Sequence, residues 1–159
     1  MSPTKTPTNA ETQSSLDTVA LADRLRPVLM RVSRELRREA RAAGISPGSV
    51  TLLVAIQGAP GIGVNELAER ERMSPAGMSQ QIERLVNAGY VARTPSEADR
   101  RRIGLTLTED GRRVLRQVRS RRTLWLARRL GALAAEDLRA IEAAAAPLAL
   151  LLDGEGGRL

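Results

Sequence analysis

Between Gly89 and Thr108 the spacing of apolar residues drops from the helical 3.6 to 2, and beyond Thr108 it returns to 3.6. A chain that is helical on both sides of one short period-2 segment has room for a hairpin but not for a large sheet. Tyr90 to Thr94 and Ile103 to Thr108 are the two strands predicted here, the second alternating Ile103, Leu105 and Leu107 with Gly104, Thr106 and Thr108. Pro95 to Arg102, polar and mostly charged, forms the tip between them. Tyr90 and Trp125 are the only aromatic residues. The core must therefore be aliphatic, which suits packed helices.

Upstream of the hairpin, Leu21, Leu25, Val28, Val32 and Leu36 recur at steps of three and four, predicting a long amphipathic helix that ends near Gly44. Pro27 should kink it or mark the first turn of its better-formed part. Ser46 caps a second helix with Pro47 at its first position, and the run Val50, Leu53, Val54, Ile56 stops at the Gly58 to Gly61 turn. A short third helix carries Val64, Leu67 and Ala68. The fourth starts at Ser74 and Pro75, buries Met78, Ile82, Leu85 and Val86, and ends at Gly89. Two short helices joined by a turn of about four residues match the helix-turn-helix unit, and a ribbon with a basic tip directly after it has the form of a wing.

Thr108 then caps a helix from about Glu109 to Leu130 with Val114, Val118, Trp125 and Leu130 among its apolar positions, and a last helix runs from about Glu136 to Leu152 around Pro147. The predicted class is mainly α with a small β-wing. Its organisation is a disordered Ser, Thr, Pro and Asn-rich tail at 1–15, an N-terminal dimerisation helix at 16–45, a winged helix-turn-helix head at 46–112, C-terminal linking and dimerisation helices at 113–152, and a flexible tail at 153–159.

The absence of Cys and His excludes disulfides, thiolate redox sensing and the usual transition-metal ligands, and it removes the commonest general base. No metal or cofactor is expected. Catalysis would need paired carboxylates, an activated lysine or a phosphate loop, but Lys5 is the only lysine and lies in the tail, and no Gly-rich phosphate motif exists. We therefore expect no catalytic residues and no enzymatic activity. The longest apolar run, Ala143 to Leu152, is too short to span a bilayer, so a cytoplasmic, nucleoid-associated protein without a membrane partner is expected.

All but one of the 25 basic residues are arginines, and the net charge is +7. Arginine over lysine fits a GC-rich coding sequence, yet the placement is uneven. Residues 90–133 hold twelve arginines against Glu97, Asp99, Glu109 and Asp110, which covers the whole excess. Such a surface fits a polyanion, and at this point nucleic acid and an anionic membrane both qualify. The amphipathic faces lack the aromatic anchors of membrane-surface helices, which favours nucleic acid.

Three segments, VNELAERERMSP at 64–75, MSQQIERLVNAGYV at 78–91 and SEADRRRIGLTLTEDG at 96–111, together with the helix order, resemble the multiple-antibiotic-resistance regulator (MarR) family over about residues 16–152. The third segment is the most specific, carrying Asp99, Arg101, Leu107, Thr108 and Gly111 in the family's wing pattern. The resemblance implies a homodimer with interleaved terminal helices and two winged heads aimed at one DNA face. Members of the family usually repress, and many release DNA when a small, often phenolic, anion binds between head and dimerising helices, so the resemblance implies a repressor with a small aromatic or anionic effector. Arg72 stands where the family commonly has a glycine, which predicts a strained turn. Gly77 and Gln80 replace the family's frequent Thr and Arg, so no operator sequence carries over.

Within that frame the exposed N-terminal positions of the fourth helix are the base readers. Ser74, Pro75, Ala76, Ser79, Gln80 and Arg84 form the candidate recognition set: Gln bonds adenine bidentately, Ser takes either partner, and Pro75 and Ala76 fit a thymine methyl. Gly77, unfavourable in a helix, would allow close approach to the DNA backbone. In the wing, Arg101 is the candidate for minor-groove insertion with Asp99 orienting it, while Arg100 and Arg102 meet phosphates, helped by Arg93 and Arg112. The competing reading is a solvated helix and a charged tip. Leu21, Leu25, Leu148 and Leu151, on apolar stripes at both ends of the chain, are the dimerisation candidates. The expected partner is double-stranded DNA with a pseudo-palindromic operator, the alternative being an architectural protein that binds DNA without sequence preference.

Overall fold

The computed structural model describes residues 17–95 and 103–153. Its elements run α1 Thr18–Ala42, α2 Pro47–Gly58, α3 Val64–Arg70, α4 Pro75–Asn87, β1 Val91–Pro95, β2 Ile103–Leu107, α5 Glu109–Leu130 and α6 Ala135–Asp153. The chain divides into two compact units, one up to Glu35 and one from Leu36 onward. The expectations for residues 1–15, for the tip at 96–102 and for the tail beyond 153 lie outside the described residues.

In the first unit, Val19 N and Ala20 N donate to Asp17 Oδ1 at 3.0 Å and start α1. Pro27 lies inside the helix rather than at a helix start. Leu21 and Leu25 are half-buried, whereas Val19, Val28, Leu29 and Met30 are exposed.

The second unit is built on local capping chemistry. Ser49 N donates to Ser46 Oγ at 3.1 Å, Gly77 N to Ser74 Oγ at 3.1 Å, and Gly111 N to Thr108 Oγ1 at 3.0 Å. Each bond satisfies one of the amides that a helix start leaves unpaired. Helices α1, α3 and α4 end on one motif, in which a residue of positive φ bonds back three positions and its successor bonds back five. Gly44 and Ile45 reach Arg41 and Ala40, Arg72 and Met73 reach Glu69 and Ala68, and Gly89 and Tyr90 reach Val86 and Leu85.

The core of this unit is aliphatic throughout. Leu53, Ile56, Leu67, Met78, Ile82, Leu105 and Val118 are fully buried, so α2, α3, α4, β2 and α5 all meet in it. Each such side chain contributes about 1.5–3 kcal/mol by leaving water. Leu115 is buried beside Val114 and Val118, a position the sequence reading left out, and Trp125 is only half-buried, with the Arg129 guanidinium 5.4 Å over its ring. The last turns of α1 are tied to α5: Arg122 Nε donates to the Leu36 carbonyl at 3.1 Å, and Arg121 pairs with Glu39 at 3.2 Å.

Strands β1 and β2 are antiparallel, with Val91 opposite Leu107 and Pro95 opposite Ile103. A third segment joins them, because Leu105 N donates to the Ile62 carbonyl at 2.9 Å and Gly61 N donates to the Leu105 carbonyl at 2.8 Å. The stretch expected to be only a turn therefore also pairs with the hairpin. This corrects the expected alternation along β2: Leu105 and Leu107 are buried, but Ile103 is 62% exposed and Gly104 is buried. At Gly104 the backbone of Gly61 occupies the space a Cβ would need. Helix α6 has no buried residue between Ala135 and Leu152, and Leu138, Ile141, Leu150, Leu151 and Leu152 are exposed.

Candidate nucleic-acid interface

The apolar period of α4 turns Met78, Ile82 and Leu85 into the core. At 100° per residue the opposite arc then carries Ala76, Ser79, Gln80, Glu83, Arg84 and Asn87, and all six are exposed. Ser74 and Pro75, at the start of the helix, are exposed as well. All six residues proposed on this helix are accessible: Ser74, Pro75, Ala76, Ser79 and Gln80 lie over its first turns, the end that would enter a major groove, and Arg84 lies in its last turn.

Ser74 and the neighbouring Gly77 also have local roles. Ser74 Oγ accepts from Gly77 N, so its oxygen is engaged in capping, while its O–H stays available as a donor. A Cβ on Gly77 would lie 3.0 Å from that oxygen. The glycine therefore has a reason inside the fold, crowding against the cap, that does not depend on DNA.

Glu83 was absent from the sequence-based set. It sits on the same edge and accepts from Arg93 of β1 at 3.2 Å, tying the hairpin to α4. Arg93, expected to meet the DNA backbone, is held by this carboxylate. No sequence signal marks the pair, since the two residues belong to different elements. Arg84 has no ion-pair partner among the described residues. The wing residues Asp99, Arg100, Arg101 and Arg102 lie outside the described residues.

Arg72 has φ 53 and is the only non-glycine residue of positive φ among the described residues, as the missing turn glycine led us to expect. At the start of α5, Glu109 accepts from Arg116 at 2.8 Å and from Arg112 at 3.0 Å. Arg116 first, then Arg112, hold its carboxyl below the usual glutamate range. Arg112 also donates to the Leu107 carbonyl at 2.9 Å, which directs it to the base of β2.

Between α2 and α5 lies a cavity of about 420 Å³. Val50, Val54 and Leu115 supply apolar wall, and Arg116, Arg119 and Arg122 supply positive charge. No group of three or more carboxylates that could hold a metal ion occurs among the described residues. None of the described helices is long and apolar enough to cross a membrane.

Residues 43–102 match a family model described as the MarR family. An HTH-type transcriptional regulator of Mycobacterium bovis is 30% identical, the match covering 84% of this chain and 93% of the relative. The HTH-type transcriptional repressor MdtR of Bacillus subtilis is 27% identical over 72% of this chain and 74% of its own. A crystal structure of a transcriptional regulator from Pseudomonas aeruginosa superposes with a TM-score of 0.72 at 33% identity, covering 92% of this chain and 98% of that one.

Proposed function

Because the chain belongs to the MarR family of DNA-binding transcription regulators, we propose that it reads a specific operator through the exposed edge of α4 and acts as a repressor without catalytic activity. The observation that carries this reading is the arc of Ala76, Ser79, Gln80 and Arg84, accessible on the face opposite Met78, Ile82 and Leu85. Gln80 pairs with adenine, Ser79 with either partner, and the small residues leave room for a methyl group. Repression is supported by the similarity to a relative named as a repressor. The wing, with Arg101 in the minor groove oriented by Asp99 and with Arg100 and Arg102 on phosphates, supplies flanking contacts.

Two heads require two copies of the chain. The exposed leucines of α6 and the exposed face of α1 support a homodimer, with Leu21, Leu25, Leu148 and Leu151 at its interface. A two-fold dimer reads a pseudo-palindrome with half-sites about 10 base pairs apart. The cavity between α2 and α5, apolar on one side and rich in arginine on the other, suits a small aromatic or aliphatic anion that would release DNA. Such a regulator works in the cytoplasm at the nucleoid.

The test is selection of bound fragments from genomic DNA followed by competition with random duplex. Gln80→Ala should cost on the order of 1–3 kcal/mol on the selected sites and much less on random DNA. Equal losses on both would replace this reading with that of an architectural protein.

A further inference from the structure

We propose that Arg72, in the turn between α3 and α4, is a DNA-phosphate contact, and that its left-handed backbone is retained for the sake of that guanidinium. Three helices of this chain end on the same bonding pattern. Two of them place glycine at the position of positive φ, Gly44 at 79° and Gly89 at 74°, whereas α3 places Arg72 there at 53°. A residue with a Cβ adopts that conformation at a cost that glycine avoids.

Among the described residues nothing makes use of the side chain that brings the cost. Arg72 is exposed, and its guanidinium has neither an ion pair nor a hydrogen bond among the described residues, although Glu69 and Glu71 are close in sequence. Neither backbone preference nor packing accounts for arginine at this position. Its place in the chain does: it lies two residues before Ser74, which opens the exposed edge of Ala76, Ser79 and Gln80. When that edge enters a major groove, the turn leading into it comes against the sugar-phosphate wall of the groove. A planar guanidinium with five donors fits two phosphate oxygens there. The inference rests on α4 being the base-reading helix.

Three variants test it in the full-length protein, with genome-selected fragments and a random duplex as probes. Arg72→Gly removes the strain and the charge, Arg72→Asn keeps a residue tolerant of positive φ without the charge, and Arg72→Lys keeps the charge. Arg72→Gly should raise the melting temperature by roughly a few degrees. It should also weaken binding to both probes about tenfold. The plot of log affinity against log salt should flatten by about 0.9 per lost contact, hence by about two for a dimer. Arg72→Asn should lose the same affinity and slope, and Arg72→Lys should keep the slope. Unchanged affinity and slope in Arg72→Gly, or an affinity loss at unchanged slope, overturns the assignment. Gln80→Ala measured alongside separates the two readings. If it narrows discrimination between the probes while Arg72→Gly leaves the slope intact, Arg72 alone is misassigned; if Gln80→Ala leaves discrimination unchanged and Arg72→Gly leaves the slope unchanged, base reading by this edge of α4 fails and the Arg72 contact fails with it.

Discussion

Thr108 Oγ1 donates to the carbonyl of Gly89 at 2.6 Å, so the residue that caps α5 also fastens the end of the hairpin to the end of α4. The same oxygen accepts from Gly111 N at 3.0 Å, and Thr108 N donates to the Tyr90 carbonyl at 3.1 Å. Thr108→Val preserves the branched shape and removes both bonds of the hydroxyl. A lost cap costs about 1 kcal/mol, and an unpaired carbonyl adds a similar amount, so urea denaturation should report a loss of about 2 kcal/mol. Thr108→Ser should stay within about 0.5 kcal/mol of the parent.

Gly111 separates crowding from helix propensity. It is buried in the first turn of α5, where the Tyr90 carbonyl stands in the way of a Cβ. Backbone cannot move aside as a flexible side chain can. Gly111→Ala should therefore cost about 3 kcal/mol or more despite the better propensity of alanine. Gly48, in the first turn of α2, has open space at the Cβ position. Gly48→Ala should stabilise by about 0.5–1 kcal/mol. Thermal melts of the two variants should move in opposite directions.

The helix starts were legible in the sequence because capping is local: Ser46 with Pro47, Ser74 with Pro75, and Thr108 each carry their signal within four residues. The exposed edge of α4 was legible for a related reason, since burying Met78, Ile82 and Leu85 fixes by geometry which residues face outward. What escaped depends on contacts between distant segments. The pairing of Ile62 with Leu105 hides Gly104 and leaves Ile103 outside, which a period-2 pattern taken alone inverts. The bond from Arg93 to Glu83 likewise joins a strand to a helix, a pairing that no local pattern marks. Asp99 to Arg102 lie outside the described part of the structure.

Acid should weaken the start of α5. Arg116 and Arg112 hold the Glu109 carboxyl below the ordinary glutamate value, so the folded state releases this proton more readily than the unfolded chain. The resulting stability is fully present above the ordinary glutamate range and is lost as pH falls through the lower, folded value. Negative charge at a helix start acts in the same direction. The group is fully exposed, so the effect is small and screened by salt. The melting-temperature difference between the parent and Glu109→Gln should shrink on acidification and shrink again in high salt. A difference independent of pH would remove the ion pairs from the explanation.

The dimer is tested most sharply where the apolar surface lies open. On α6, Leu151 is 69% exposed and Leu152 is 84% exposed, whereas Leu148 is half-buried. Exposed leucines at this density are costly in water unless a second chain covers them. Leu151→Glu places a charge that an apolar interface could take in only at the cost of desolvating it. Sedimentation should show the parent as a dimer at micromolar concentration and the variant shifted to monomer. DNA binding should fall with it, because the second head then no longer binds as an intramolecular partner, an advantage of about 10²–10⁴ in affinity. The loss should be far larger on a pseudo-palindromic fragment than on an isolated half-site. A variant that remains dimeric and binds normally would take Leu151 out of the interface, and a parent that is a folded monomer at micromolar concentration would remove the dimer itself.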